Sequence, residues 1–209
     1  MMQISLFEKD YSKSLLTYIK KVSLQTNFLG LEPKEIDASF NLRKIHHLND
    51  NLEASVSFIA RDEESSQIIG LAQIARKLRI RFRNQAEIAI SVDKEYWNHR
   101  IGSKLIEACI DQAANQWKID GVYLEVLSDN QRAINLYKKQ GFEIVGDLPI
   151  LLTIDGNNKS GKMMFKNLKK IKVYFQFKLK ALGHIVFINV VTMHKNRVVF
   201  NSFDFEPHF

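Results

Sequence analysis

Between Ala86 and Asn115 the hydrophobic period of the chain switches from that of a strand to that of a helix, which calls for a fold that packs helices on a sheet. AEIAISVD carries β-branched Ile88, Ile90 and Val92 in a short apolar run, the composition of a buried strand. From Ile101 the apolar residues recur at helical spacing through Leu105, Cys109 and Ala113, with Ile106 and Ile110 beside them, while Lys104, Glu107 and Asp111 fall on the opposite face. Between strand and helix lies a polar turn of about eight residues closing on Gly102. The first N–H groups of a helix have no intrahelical partner and lie at the positive end of its dipole, so an anion in such a turn is stabilised.

A second block runs from Val122 to Gly146, VYLEVLSDNQRAINLYKKQGFEIVG. Val122, Leu124 and Val126 predict another buried strand; Asp129 or Asn130 is placed to cap a helix carrying Ala133, Ile134, Leu136 and Tyr137; Gly141 suits the position just past its end. The two blocks in this order resemble the GNAT superfamily of acetyl-CoA-dependent N-acetyltransferases. The later family pattern N-x-x-A-x-x-L-Y-x-x-x-G-F is complete in Asn130, Ala133, Leu136, Tyr137, Gly141 and Phe142. The earlier one, R/Q-x-x-G-x-G/A, is matched only at Gly102: Trp97 stands where Arg or Gln is usual, and Arg100 where the first glycine is usual.

The resemblance implies an α/β fold with a mixed, mostly antiparallel central sheet flanked by helices. It also implies transfer of an acetyl group from acetyl-CoA to a primary amine, on a small molecule or a protein, by direct attack in a ternary complex. Cofactor contacts are then expected from the turn residues Asn98, His99, Arg100, Ile101, Gly102 and Ser103, from main-chain groups of Ile90 and Val92, and from Asn130. Tyr137 occupies the place of the family's thiolate-protonating tyrosine. The base is assigned to Glu87 at the start of the strand, with Glu125 second; no metal is expected. A non-catalytic acyl-CoA-binding or interaction module is the alternative, resting on Arg100 in the turn.

The remaining chain is less specific. Ser12 to Thr26 reads as a helix, Pro33 as the first turn of another carrying Ile36, Phe40 and Ile45, so two helices precede the first long strand; Asn27, Phe28 and Leu29 between them are candidate acceptor contacts. SVSFIAR and QIIGLAQIA form a hairpin, followed by RKLRIRFRNQ with five basic residues, read as a solvated loop or strand edge in preference to a CoA-phosphate contact. FEIVGDLPILLTID predicts two strand pieces interrupted at Asp147 and Pro149. Residues 1–168 are expected to form the acetyltransferase domain and 169–209 an extension, either of added strands or without order.

The formal charge of +7 bears on partners only through its distribution. Seven Lys and Arg against two acidic residues lie beyond Leu168, leaving the preceding part nearly neutral, so a nucleic-acid partner is not expected. Seven of the 14 phenylalanines lie there too, which suggests strand addition or a homodimer. The single cysteine, Cys109, rules out an internal disulfide. With neither a signal-peptide pattern nor a stretch of about 18 apolar residues, a cytoplasmic location without a membrane partner is expected.

Overall fold

A computed structural model describes residues 2–36, 44–169, 177–181, 184–188, 192–194 and 197–199. The chain divides into two compact units, Met1–Leu168 and Lys169–Phe209. In the first, a seven-stranded sheet has the order β1-β2-β3-β4-β5-β7-β6, formed by β1 (Met2–Leu6), β2 (Ser55–Asp62), β3 (Ile68–Arg76), β4 (Gln85–Val92), β5 (Gly121–Leu127), β6 (Glu143–Ile154) and β7 (Asn157–Asn167). Every pairing is antiparallel except β4 with β5. Helix α1 (Ser12–Gln25) follows β1, α2 (Ile101–Asp111) connects β4 to β5, and α3 (Gln131–Lys139) follows β5. This is the mixed α/β fold that the sequence predicts.

Two departures concern the periphery. β1 precedes α1 and pairs with β2, so the chain opens on a strand; Met2, Ile4 and Leu6 alternate with Gln3 and Ser5, a pattern only five residues long. β6 runs through Asp147 and Pro149 as one element, with register shifts between Ile144 and Gly146 and between Leu148 and Leu152. It is an edge strand, where a residue lacking an N–H breaks no ladder. Of the expected second helix, Pro33–Glu35 is a 3₁₀ turn and residues 44–46 are helical; Ile36 and Ile45 are buried in one cluster, whereas Phe40 lies outside the described residues.

The core holds α2 against the sheet. Ile101, Leu105, Ile106 and Cys109 are buried, each large aliphatic among them worth about 1.5–3 kcal/mol of transfer free energy. Burial pushes the Cys109 thiol up to about 12, which leaves it a packing residue without thiolate chemistry. Past Asp111 the helix widens into a π turn at Gln112–Gln116. The second unit contains two antiparallel hairpins, β8 (Phe177–Ala181) with β9 (His184–Ile188) and β10 (Thr192–His194) with β11 (Arg197–Val199).

Candidate active site

The site begins where two parallel strands part. β4 pairs with β5 only from Gln85 to Glu87, opposite Gly121 to Tyr123, although β4 continues to Val92. Beyond Glu87 the strands diverge. The Asp93 N–H donates to Ile69 of β3, so by strand alternation Val92 and Ile90 direct their main-chain groups to the side that β5 has left. The Val92 carbonyl already accepts from the Trp97 indole Nε1 at 3.0 Å. The opening widens into a cleft of about 980 Å³, lined by β4, β5, the turn 96–103 without His99, the start of α3, Phe28 and Leu29 from the loop after α1, and Leu151 and Leu152 of β6.

The turn presents its backbone to this cleft. α2 has no side-chain hydrogen bond at its N-cap, Arg100, so its first N–H groups stay available to a ligand. Arg100 itself has φ 60° and ψ 11°, and Asn98 has φ 67°. Both are left-handed conformations in which glycine is strain-free, and arginine at such a position carries about 1 kcal/mol or more of strain. The backbone here thus takes a shape that glycine adopts freely, with arginine in its place. Gly102, next inside the helix, is needed for packing: a Cβ there would stand 2.9 Å from a Leu136 methyl. Arg100→Gly is expected to leave the fold intact and raise the free energy of unfolding by up to about 1 kcal/mol, read by urea denaturation.

A side-chain stack joins the turn to α3. The Arg132 guanidinium lies 3.7 Å from the centroid of the Trp97 ring, with Lys94 at 6.0 Å, and Trp97 and Arg132 both border the cleft. The contact is not legible in the sequence, because the two residues meet only through the fold. Asn130 caps α3, its Oδ1 accepting from the Ala133 N–H at 3.1 Å, which leaves its NH₂ group for the cleft. His99 is exposed, its Nδ1 lies 2.8 Å from the Trp97 carbonyl, and its side chain is not among those lining the cleft.

Tyr137 borders the cleft from the other wall. It is buried among apolar neighbours, with the Phe142 ring edge-on at 5.9 Å, and burial pushes its phenol well above the ordinary tyrosine range. No hydrogen bond of its hydroxyl occurs among the described residues. Glu87 is exposed and sits at the last paired position of β4, while Glu125 lies two residues past its cross-strand partner Tyr123, so both carboxylates share one sheet face and line the cleft. Among the described residues no group of three His, Cys, Asp or Glu is placed to hold a metal.

Below the turn, Asp93 fastens α1 to it. The carboxylate, 2% exposed, receives Lys21 at 2.7 Å and Gln25 at 2.9 Å, and caps the following turn through the Glu95 N–H at 3.2 Å. Desolvation opposes its charge, but these donors outweigh it and hold the carboxyl below the usual range. A depressed carboxyl stabilises the fold fully above its unfolded pKa of ~3.9 and less as pH falls through the lower folded value. Asp93→Asn is therefore expected to lower stability at neutral pH and to make no difference in strong acid, which denaturation from neutral pH down into strong acid checks.

The chain matches the acetyltransferase (GNAT) family over residues 23–142. It belongs to that family. It is 35% identical over 79 residues to an L-amino acid N-acetyltransferase of Escherichia coli, covering 38% of this chain and 49% of that protein. A spermidine N(1)-acetyltransferase of Vibrio cholerae is 26% identical over 153 residues, 72% of this chain and 86% of the relative. The chain thus spans about half the length of the first of these. A GNAT-family acetyltransferase of Streptococcus pneumoniae superposes with a TM-score of 0.72 at 26% identity, over 80% of this chain and 99% of its own. An acetyltransferase of Salmonella typhimurium, solved with its cofactor acetyl-CoA, shares the fold with a TM-score of 0.69 at 18% identity, over 81% of this chain and 95% of its own.

Proposed function

We propose that this GNAT member transfers an acetyl group from acetyl-CoA to a primary amine. The observation that carries the reading is the splay of β4 from β5 past Glu87, directly beneath an uncapped helix N-terminus. The main-chain N–H groups from Arg100 to Ser103 suit a diphosphate, with Asn98 completing the turn, and the Arg100 cation at the rim adds charge. Ile90 and Val92 offer strand-like hydrogen bonds to the amides of a pantetheine arm, and Asn130, which lines the same space, has its NH₂ uncommitted by the helix cap. Acetyl-CoA, when bound, supplies the acyl group as a thioester.

The acceptor amine approaches on the face that carries the carboxylates. A primary amine with a pKa of ~10.4 is neutral about once in 2,500 molecules at pH 7, so removal of its proton is part of the task. Glu87 receives that proton, through water, as the nitrogen lone pair forms the new C–N bond; Glu125 is the second candidate. A main-chain N–H of the splayed strand stabilises the carbonyl oxygen, a contribution typically worth about 10²–10³ in rate. As the C–S bond breaks, the electron pair goes to sulfur, and Tyr137, which lines the cleft, is the residue to donate its hydroxyl proton or hydrogen bond there. Relatives named for spermidine and for L-amino acids bracket the acceptors to try first.

The test is an amine panel of polyamines, free amino acids and peptides, with released CoA detected by a thiol reagent. Acetyl-CoA-dependent release above hydrolysis is expected with at least one class; release at the hydrolysis rate with every class rejects the reading. A non-catalytic acyl-CoA-binding module rests on Arg100, and the retained left-handed backbone there weighs against it. Residues 169–209 are proposed to be dispensable for donor binding, since among the described residues every one that lines the cleft precedes them. Truncation after Lys170 is expected to change acetyl-CoA affinity by less than about three-fold (under 1 kcal/mol), read by calorimetric titration, while light scattering of the two proteins reports any self-association that the extension supports.

A further inference from the structure

The loop between β3 and β4 is unlike an ordinary solvated hairpin connection. Lys77, Arg79, Arg81 and Arg83 alternate with Leu78, Ile80 and Phe82, and all seven residues are exposed. Leu78 is 56% exposed, Ile80 78% and Phe82 42%, which places three large apolar side chains in water within five residues. A 3₁₀ turn at Ile80–Phe82 orders the loop, with the Phe82 N–H donating to the Arg79 carbonyl at 2.8 Å. Arg76, at the end of β3, is committed to Glu53 and to the Trp117 face; Arg79, Arg81 and Arg83 have no acidic partner among the described residues. None of the loop residues lines the cleft.

The combination selects a partner by two criteria. The unpaired guanidinium groups call for anions, and suit phosphate oxygens in particular because each presents a planar fork of donors. The aliphatic Leu78 and Ile80 call for a non-directional apolar medium next to those anions. Single-stranded nucleic acid supplies phosphates but binds proteins through aromatic platforms, and the loop has one ring, Phe82, with the Lys77 ammonium 5.3 Å from its centroid. An anionic lipid surface supplies both the phosphates and the acyl layer beneath them. We infer that residues 77–83 are a docking element for an anionic lipid surface. A peripheral contact of this kind requires no spanning helix, and no described helix is long and apolar enough to be one.

Sedimentation of the full chain with vesicles tests this. The chain is expected to pellet with equal parts phosphatidylglycerol and phosphatidylcholine, to stay in solution with phosphatidylcholine alone, and to detach as salt rises. Two triple variants, Arg79→Gln/Arg81→Gln/Arg83→Gln and Leu78→Ser/Ile80→Ser/Phe82→Ser, are each expected to lower the vesicle partition coefficient by about ten-fold or more, with the melting temperature unchanged. A Phe82→Trp variant, which keeps the loop's character, should show a blue-shifted emission on adding the anionic vesicles. Absence of vesicle binding overturns the inference, as does binding undiminished in both triple variants, which would assign it to other basic residues. Binding lost in the arginine variant, kept in the serine variant and competed by single-stranded RNA would mark a polyanion contact and overturn it equally.

Discussion

Replacing Tyr137 by phenylalanine is expected to lower kcat about a hundred-fold and leave the affinity for acetyl-CoA nearly unchanged. The ring is buried in the core and meets Phe142 edge-on, so the variant keeps the packing and loses only the hydroxyl. Burial raises the phenol's pKa, which keeps it protonated over the whole working range and makes it a reluctant acid. Complete transfer to a thiolate of pKa near ~8.5 is uphill, so the hydroxyl is expected to act chiefly as a hydrogen-bond donor that strengthens as negative charge builds on sulfur. An effect confined to the transition state appears in kcat and kcat/KM together. Steady-state kinetics with the best amine, alongside calorimetry of acetyl-CoA binding, separate the two quantities. Unaltered turnover in the variant would remove Tyr137 from the mechanism.

The parts of the site legible in the sequence are those written in local pattern. The change of period between Val92 and Ile101 marks strand and helix, Asn130 caps α3 through its own side chain, and Gly141 takes φ 83° just past the helix end. What stayed hidden depends on pairing across the fold. The cleft exists because β4 and β5 stop pairing after Glu87, and nothing in either strand records where its partner leaves. Trp97 and Arg132 meet although 35 positions apart, and Leu151 and Leu152 reach the cleft from an edge strand. The positive φ of Asn98 and Arg100 on either side of His99 is likewise invisible in residue type, since neither is glycine. Residue type alone also does not reveal that Arg100 takes a left-handed conformation open to glycine.

Acetyl-CoA is expected to stabilise the protein by about 2.7 kcal/mol at a concentration of 100 times its Kd, since it binds the folded chain alone. For a chain of 209 residues this corresponds to a rise in Tm of roughly 5–10 °C. The basis is the uncapped start of α2, the outward-facing main chain of Ile90 and Val92, and the left-handed Arg100 that preserves the turn. Because the diphosphate contacts are largely backbone, substitution of Arg100 by glycine should retain most of the shift, whereas a bulky residue at Gly102, where even an added Cβ would crowd Leu136, should abolish it. Calorimetric titration of the intact chain with acetyl-CoA tests the central claim most directly: the account predicts saturable heat at one site per chain with the accompanying rise in Tm, and no heat and no shift at millimolar acetyl-CoA would contradict it.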